Sequence, residues 1–253
     1  MIVLRYLLLA AMLSLAPPAS AEAIPRIAII IDDLGYQFAA GQRAIELPGP
    51  ISFAILPATP SGQSLARAAH DNGKEVLLHL PLEAVGQRGI DGPGAITLDM
   101  SRGAFHEAFD VALASVPYAI GVSSHRGSLL TRHPGHMEWL MEEIGARDGM
   151  FFIDSYTTHE SVALQVARES GIAATRRHVF LDNDRSLEAM TREFNRLTQL
   201  ARRQGVAVAI AHPYPETLDF LEHKLAELDA GNIELIPVSK ALNFVEPKRA
   251  DKL

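Results

Sequence analysis

The sequence predicts an α/β protein whose parallel strands form a closed or nearly closed (β/α) barrel. Strand-like and helix-like segments alternate seven or eight times without an internal linker, which is typical of parallel strands joined by helical crossovers. The strand-like segments are apolar without polar alternation, as strands buried on both faces are. The chain length suits one barrel domain. Together these observations favour a barrel over an open doubly wound sheet.

Eight apolar segments are the predicted strands, and turn residues separate them from the helices. The predicted strands cover residues 27–31, 51–56, 75–80, 118–122, 150–153, 179–181, 206–211 and 233–237. Pro48-Gly49-Pro50 separates the second strand from the helix before it. A Gly-rich loop over 83–99 follows the third strand, and loops of this length in compact domains are often functional.

Seven segments between the strands are predicted helices, and several carry recognisable end signals. The predicted helices cover residues 37–46, 61–70, 101–115, 134–147, 160–170, 187–203 and 217–228. Ser61 is a plausible N-cap for the second helix. Gly171 and Gly205 end the fifth and sixth helices, because glycine readily adopts the left-handed conformation that terminates a helix.

The first residues of the chain have the pattern of a cleaved secretory signal. Arg5 precedes an apolar run over 6–16, Pro17-Pro18 breaks the run, and Ala19-Ser20-Ala21 is the small-x-small pattern that signal peptidase reads. The run is too short for a comfortable membrane span, although an uncleaved anchor is the alternative.

These features predict the domain organisation and the location of the protein. We expect a signal peptide over 1–21, a single barrel domain over 22–243 and a polar tail over 244–253. No other segment resembles a membrane span, so we expect no stable span after signal cleavage. The expected location is the periplasm.

The composition excludes several classes of function. An exported chain without Cys has no disulfide framework, so its core must be stabilised by burial alone. The balance of 23 Lys+Arg against 30 Asp+Glu, without a basic cluster, argues against nucleic acid as a partner. No Gly-x-Gly-x-x-Gly follows the first strand and no Walker-type loop occurs, so a dinucleotide or nucleotide site has no support.

Two adjacent carboxylates, Asp32 and Asp33, stand where the first predicted strand ends. Paired acids at the end of a buried strand are costly unless a cation or a catalytic task holds the charges. The alternative is that Asp32 caps a helix while Asp33 lies in solvent. Both interpretations stay open on this pair alone.

Further polar residues fall at the C-terminal ends of predicted strands. In a parallel barrel these ends meet at one face, which carries the active sites of this architecture. The residues in this position are Asp32, Asp33, His79, His125, Asp154, Asp182 and His212. Imidazoles with a carboxylate suit a catalytic Zn²⁺ or a related divalent ion. The absence of Gly-x-Ser-x-Gly and of His-Glu-x-x-His disfavours a serine hydrolase and a zincin protease.

With these residues in place, the chain resembles the divergent polysaccharide deacetylase family, a bacterial envelope branch of the polysaccharide deacetylase superfamily. The resemblance spans roughly Arg26 to Ser239. The segments that carry it are Ile31-Asp32-Asp33-Leu34-Gly35, Leu77-Leu78-His79-Leu80-Pro81-Leu82-Glu83, Gly121-Val122-Ser123-Ser124-His125-Arg126-Gly127-Ser128, Phe151-Phe152-Ile153-Asp154-Ser155, Phe180-Leu181-Asp182-Asn183 and Ile210-Ala211-His212-Pro213.

The resemblance implies a distorted (β/α) barrel of seven or eight strands and metal-dependent removal of N- or O-acetyl groups from a glycan. It implies that Asp32 is the general base and that Asp33 is a metal ligand. It likewise implies that His79 is a ligand and that His212 is the general acid. Asp154 lies at the strand end where the superfamily carries an aspartate that tunes its acid–base pair.

Two departures from the superfamily pattern affect the expected ligands. The second motif of the superfamily has two His residues four apart, and Glu83 stands in the second position in this chain. The Arg-x-Pro-x-Gly motif is missing, and His125-Arg126-Gly127-Ser128 occupies that part of the sequence. We infer that His125 supplies the lost imidazole, with Glu83 as a fallback ligand or a residue that orients an imidazole. Arg126 and Ser128 are candidates for substrate contact, with simple solvation as the alternative for Arg126.

The leading hypothesis is a metal-dependent hydrolase that deacetylates a polysaccharide or a peptidoglycan-type glycan, with Zn²⁺ as the expected ion. A second hypothesis is a non-catalytic glycan-binding or partner-binding protein on a degenerate barrel. A third is another metal hydrolase on the same barrel, such as a phosphoesterase.

Overall fold

The computed structural model describes residues 24–86, 92, 94–228 and 232–242. The predicted signal peptide over 1–21 and the polar tail over 244–253 lie outside the described residues, as does part of the predicted loop over 83–99. In the described part of the chain, no helix combines the length and the apolar character needed to cross a bilayer.

The described residues contain nine strands that form one sheet, and every ladder in it is parallel. The strands are β1 Arg26–Leu34, β2 Ser52–Ile55, β3 Glu75–Leu82, β4 Ala119–Arg126, β5 Phe151–Asp154, β6 Ala174–Arg176, β7 Val179–Phe180, β8 Val206–Ala211 and β9 Glu234–Leu235. Their order in the sheet is β6-β5-β4-β3-β2-β1-β8-β7, and β9 pairs with β1.

Helices connect the strands in nearly every crossover, as the alternation in the sequence predicts. The helices of the described residues are α1 Phe38–Ile45, α2 Gly62–Asp71, α3 Arg102–Ala114, α4 Pro134–Gly145, α5 Ala163–Glu169, α6 Leu187–Gln204, α7 Pro215–Ala226 and α8 Val238–Ala241. A 3₁₀ turn at Leu130–Arg132 precedes α4. The seven predicted helices correspond to α1–α7, with small differences at their ends.

The sheet curls into a barrel whose seam lies between β6 and β7. These two strands stand at opposite ends of the strand order, yet only two residues separate them in the chain. The Arg177 N–H donates to the Asp154 carbonyl, and the His178 N–H donates to the Val208 carbonyl. One short segment therefore bonds to β5 with its first half and to β8 with its second half. The prediction of a distorted (β/α) barrel is confirmed.

Both faces of the barrel wall are apolar and buried, which explains why the strands lack polar alternation. On β1, Ile27, Ile29 and Ile31 pack with the surrounding helices in one core cluster, while Ala28 and Ile30 belong to a second cluster inside the barrel. The inner cluster also contains residues of α8, which closes the N-terminal end of the barrel. Side-chain direction alternates along each strand, so every second residue of a strand points inward.

The structure differs from the predicted elements mainly at short segments. The strand predicted over 179–181 is only the second half of the seam, and β6 was not predicted. The strand predicted over 233–237 is confined to Glu234–Leu235, and α8 follows it. Strands of two or three residues offer too few positions for a periodic pattern to form.

Candidate active site

The inward alternation of the strands brings most of the predicted residues together at the C-terminal end of the barrel. Asp32 continues the inward series of Ala28 and Ile30 on β1, and His79 continues that of Leu77 on β3. On β8, Val206, Val208 and Ile210 point inward, so the next inward position is His212. Asp32 and His79 are each only 2% exposed.

Asp33 joins this group because the backbone turns at its position. In regular strand geometry Asp33 would point away from Asp32. Its φ angle is 62°, and the register of β1 with β2 is irregular between Ile31 and Leu34. Aspartate tolerates this left-handed conformation better than most residues. Consequently both carboxylates face His79, whose Nε2 lies 3.5 Å from Asp32 Oδ2 and 3.2 Å from Asp33 Oδ1.

Asp33, His79 and His125 form a compact set of potential metal ligands. His125 Nδ1 lies 2.9 Å from Asp33 Oδ1 and 3.1 Å from His79 Nε2. With the 3.2 Å separation between His79 Nε2 and Asp33 Oδ1, these atoms form a nearly equilateral triangle. Ligand atoms on a tetrahedral Zn²⁺ with ordinary bond lengths are about 3.3 Å apart.

The hydrogen bonds around this triangle also suit a cation. Among the described residues, the buried Asp33 Oδ1 accepts no hydrogen bond of standard geometry. His79 Nδ1 lies 2.7 Å from Ser123 Oγ. In the tautomer in which Nδ1–H donates to Ser123 Oγ, the Nε2 lone pair is directed at the triangle. The donor set of two imidazoles and one carboxylate therefore fits a divalent ion.

The histidine and aspartate pKa values reflect this crowding. Burial raises the pKa of Asp33, but the facing His125 and His79 lower it more, so it lies well below its usual range. Burial lowers the pKa of His79, but Asp32 and Asp33 outweigh it and the net shift is upward. Burial dominates at His125, whose pKa is lowered. The Asp33 carboxylate is thus ionised at neutral pH.

Asp32 lies beside the triangle and is not one of its members. Burial raises its pKa to about 6, although His79 and His212 oppose that shift. In the described part of the chain, its buried Oδ1 has no hydrogen-bond partner. A carboxylate with a raised pKa and a free acceptor atom has the properties of a general base.

His212 stands on the other side of Asp33 and is held by Asp182. His212 Nδ1 lies 3.0 Å from Asp182 Oδ1, and the His212 backbone N–H and the Thr217 hydroxyl both donate to Asp182 Oδ2. His212 Nε2 therefore faces the site, 3.8 Å from Asp33 Oδ2. Burial lowers the pKa of His212, but Asp182 raises it more and the net shift is upward. The sequence places Asp182 at a strand end but assigns it no role.

Asp154 is buried but makes different contacts. Its carboxylate accepts hydrogen bonds from the Tyr156 N–H and the Ser161 hydroxyl. Phe152, two residues earlier on β5, packs with the outer helices, so Asp154 shares the outward face. Among the described residues, the carboxylate within hydrogen-bond distance of His212 Nδ1 is that of Asp182 and not that of Asp154. The role predicted for Asp154 therefore has no direct contact to support it.

The remaining predicted residues, Glu83, Arg126 and Ser128, lie around the site and form hydrogen bonds with other residues of the protein. The Glu83 carboxylate accepts the Leu98 N–H at 2.7 Å, and among the described residues Glu83 is not a member of the ligand group. Ser128 Oγ accepts the Val85 N–H, and the Arg126 carbonyl accepts the Thr157 hydroxyl. These bonds hold Glu83 and Ser128 in the loops around the C-terminal end of the barrel, the barrel mouth. Substrate contact stays a prediction for Arg126 and Ser128.

A second group of potential ligands, His106, Asp110 and Glu143, lies far from the strand ends. His106 and Asp110 are largely exposed, and Arg147 already pairs with both carboxylates. The Arg147 guanidinium thus already compensates the charge of both carboxylates. This group provides a useful comparison for experiments on the first one.

Comparison with known proteins identifies the relatives of this chain. It is 33% identical over 234 residues to the protein YibQ of Escherichia coli strain K12, covering 92% of this chain and 72% of that protein. A Haemophilus influenzae protein is 34% identical over 203 residues, covering 80% of this chain and 72% of the relative.

Solved structures and a family model extend the comparison. The protein ATU2773 from Agrobacterium tumefaciens C58 has a TM-score of 0.83 at 25% identity, covering 88% of this chain and 92% of that one. The BA3943 pseudoenzyme of Bacillus anthracis, of the CE4 family, shares the fold with a TM-score of 0.52 at 11% identity, covering 89% and 68% of the two chains. The family model described as divergent polysaccharide deacetylase matches residues 29–242, and the chain belongs to that family.

Proposed function

We propose that the protein is a metal-dependent hydrolase that removes acetyl groups from a polysaccharide. The observation that carries the proposal is the triangle of ligand atoms from Asp33, His79 and His125, flanked by the buried Asp32 and the carboxylate-bound His212. Membership of the divergent polysaccharide deacetylase family supports the substrate class, which includes peptidoglycan-type glycans.

Asp33, His79 and His125 would hold the metal ion. Three protein ligands leave a coordination position open for water or substrate, as in catalytic zinc sites. When bound, a divalent ion such as Zn²⁺ supplies Lewis-acid polarisation of the acetyl carbonyl and lowers the pKa of water. Ser123 fixes the His79 ring, so that the side chain does not have to reorganise when it binds the ion.

Asp32 would accept the proton of the attacking water. Its pKa of about 6 leaves it ionised at neutral pH and close to the best value for a base at that pH. The free Oδ1 gives the proton a place to go. The water oxygen then bonds to the acetyl carbon while the proton passes to Asp32.

His212 would protonate the leaving group. Asp182 raises its pKa and holds Nδ1, so the proton available for transfer is on Nε2, which faces the site. Breaking the C–N or C–O bond releases acetate, and the amine or alkoxide of the sugar takes the Nε2 proton. Asp32 and His212 thus have opposite proton states before the reaction, as a base and an acid require.

Acetate release tests this proposal directly. Wild-type protein with added Zn²⁺ is expected to release acetate from a tetramer of N-acetylglucosamine or from peptidoglycan, and Asp32→Asn is expected to lower the rate about 10²–10⁴-fold. Asp148→Asn, which changes an exposed carboxylate, is the matched control and should retain the wild-type rate. Equal background release from wild type and Asp32→Asn would favour a binding protein over an enzyme.

We further propose that the protein acts in the periplasm after export. The signal-like pattern before Glu22 is the supporting observation. Sequencing the N-terminus of protein purified from the periplasmic fraction should give a chain that begins near Glu22. Recovery of the intact N-terminus from the membrane fraction would instead indicate an uncleaved anchor.

A further inference from the structure

A polar cavity of about 610 Å³ lies beside the candidate active site, between β7 and α6. Its volume is within the range of about 300–1,000 Å³ that small-molecule sites occupy. Its wall includes the arginines Arg177, Arg192 and Arg196 and the aromatic ring of Phe180. The wall also includes the acidic residues Asp184 and Glu193, so its formal charge is slightly positive in a chain whose net charge is −7.

The cavity adjoins the catalytic residues on two sides. The Phe180 ring lies 5.2 Å from the His212 ring, measured between centroids. Asn183, which also lines the cavity, directly follows Asp182, the carboxylate that holds His212. On another side, Thr157 donates to the carbonyl of Arg126, the residue after His125. A glycan unit in this cavity would therefore be a neighbour of the acetylated sugar in the active site.

Arg177 provides a fixed positive charge in the cavity wall. Its Nε donates to the Ser155 carbonyl and its Nη2 to the Tyr156 carbonyl, both at 2.7 Å, and its guanidinium covers the Phe180 ring. No carboxylate of the described residues forms an ion pair with it. Burial lowers its pKa, which indicates that the cation is incompletely compensated. Its two bonds leave several N–H groups for an anionic ligand.

Arg192 and Arg196 are solvent-exposed candidate partners for such a ligand. Arg192 pairs with Glu188 at 3.1 Å and Arg196 with Glu193 at 3.0 Å, and both arginine side chains are more than half exposed. Exposed ion pairs of this kind contribute little energy, so each arginine can exchange its partner. The wall also contains two carboxylates: Glu193, which pairs with Arg196, and Asp184, which accepts the Ser186 N–H. The three arginines therefore exceed the two acidic residues of the wall by one positive charge.

We propose that this cavity is a subsite for an anionic group, a carboxylate or phosphate, on the sugar next to the one that is deacetylated. The inference rests on the proposed function and narrows its substrate class to acidic glycans. Guanidinium groups bind both anions through paired N–H donors, so the chemistry of recognition is the same for a carboxylate-bearing and a phosphorylated sugar.

Calorimetric binding to the Zn²⁺-loaded protein tests the subsite separately from catalysis. The Asp32→Asn background keeps the probes intact during titration. The probes are a tetrasaccharide of alternating N-acetylglucosamine and N-acetylmuramic acid, which carries carboxylates, N-acetylglucosamine 6-phosphate, and the neutral tetramer of N-acetylglucosamine. The added variant is Arg192→Gln/Arg196→Gln. Arg202→Gln/Arg203→Gln is the matched control, since it also removes two positive charges, from the last turn of the same helix and about 10 Å beyond Arg196.

Preferential, arginine-dependent binding is the expected result. At low salt the acidic tetrasaccharide or the phosphorylated sugar should bind about tenfold more weakly to Arg192→Gln/Arg196→Gln than to the Arg202→Gln/Arg203→Gln control, while the affinity for the neutral tetramer stays the same. The difference should shrink as ionic strength rises. The relative affinities of the carboxylate and phosphate probes identify which anion the subsite accepts.

Other outcomes overturn the subsite or the proposed function, and they are distinguishable. The subsite is overturned by any of three results. These are equal affinity for the acidic and neutral tetramers, no binding of any probe, and a preference for acidic probes that survives in Arg192→Gln/Arg196→Gln. Acetate release from wild type without any acidic preference overturns the subsite and leaves the deacetylase. If the acidic probe binds in an arginine-dependent way but the wild-type protein releases no acetate, the subsite is retained and the deacetylase proposal is overturned.

Discussion

Two buried aspartates at strand ends, Asp154 and Asp182, are distinguished by their side-chain direction. Asp182 faces into the barrel, where its carboxylate accepts the His212 backbone N–H and lies within hydrogen-bond distance of His212 Nδ1. Asp154 faces outward and binds the Ser161 hydroxyl and the Tyr156 N–H. Both residues are buried, so burial does not separate their roles. The contacts indicate that Asp182 sets the proton affinity of His212.

Asp182→Asn should reduce acetate release about 10²–10⁴-fold, because His212 loses the charge that keeps it protonated. Since Asp182 raises the pKa of His212, the substitution should lower that pKa. The alkaline limb of the pH–rate profile should therefore move to lower pH.

Asp154→Asn is the comparison for this experiment. It should leave the alkaline limb in place, because its contacts do not include His212. A shifted limb in Asp154→Asn with an unchanged one in Asp182→Asn would restore the role predicted for Asp154 from the sequence.

The sequence predicts which residues meet at the barrel mouth but not how they face. Strand-end positions brought Asp32, His79, His125 and His212 into one predicted group, and the structure places them together. Inward and outward positions of these strands are equally apolar. The sequence therefore does not predict that Asp154 points outward and Asp182 points inward. The φ angle that turns Asp33 toward His79 likewise leaves no periodic signal in the sequence.

At the scale of elements, a buried polar network attaches α8 to the N-terminal end of the barrel. Ser52, at the start of β2, donates to Glu75 on β3 and accepts the N–H of Val238. The Glu75 carboxylate also accepts the backbone N–H and the hydroxyl of Ser239. These bonds satisfy the free N–H groups at the start of α8, which is too short to be stable alone.

Ser52→Ala should lower the free energy of unfolding by about 1–3 kcal/mol, because the buried Val238 N–H loses its acceptor. Urea unfolding followed by the fluorescence of Trp139 measures the effect. Ser170→Ala, at an exposed helix end, is the control and should change stability by about 0.5 kcal/mol or less.

Zn²⁺ affinity should be the same in both serine variants, since the network lies at the opposite end of the barrel from the ligands. A loss of Zn²⁺ affinity in Ser52→Ala would contradict this separation of the two ends.

The elements that the sequence predicts well are those with enough residues to show a pattern. The run of branched residues over 27–31 and the run over 206–211 each predict a strand that the structure contains as β1 and β8. The seam at Ala174–Phe180 divides its hydrogen bonds between two neighbouring strands. No single segment there repeats an apolar pattern, so the sequence does not predict that β6 is a strand.

At the scale of the whole molecule, the titrating groups of the barrel mouth couple stability to pH. Burial lowers the pKa of His79, but Asp32 and Asp33 raise it above the ordinary 6.5. Asp182 likewise raises the pKa of His212 above that value. Protonated His79 and His212 therefore stabilise the fold below pH 6.5, and their contribution is lost as pH rises through their folded-state pKa values. The contribution of Asp33 is lost only at acidic pH, as the pH falls through its lowered pKa.

Metal-free protein should therefore become less stable as pH rises from about 6.5 through the raised pKa values of His79 and His212. Zn²⁺ should reverse this loss, because it binds the neutral imidazoles that remain after deprotonation. A Zn²⁺ concentration about 100 times the dissociation constant stabilises the folded state by about 2.7 kcal/mol, which raises the melting temperature by about 5–10 °C. The rise at one fixed Zn²⁺ concentration should be larger at the higher pH.

His125→Gln should abolish most of the Zn²⁺-induced rise, because it removes one of the ligand atoms of the triangle. His106→Gln removes a histidine from the second ligand group, where Arg147 already neutralises the carboxylates, so the rise should persist. Thermal melts of chelator-treated protein at pH values below and above the pKa values of His79 and His212 compare the two variants. A rise that depends on His106, or one that is larger at the lower pH, would place the bound ion outside the barrel mouth and separate metal binding from Asp32 and His212.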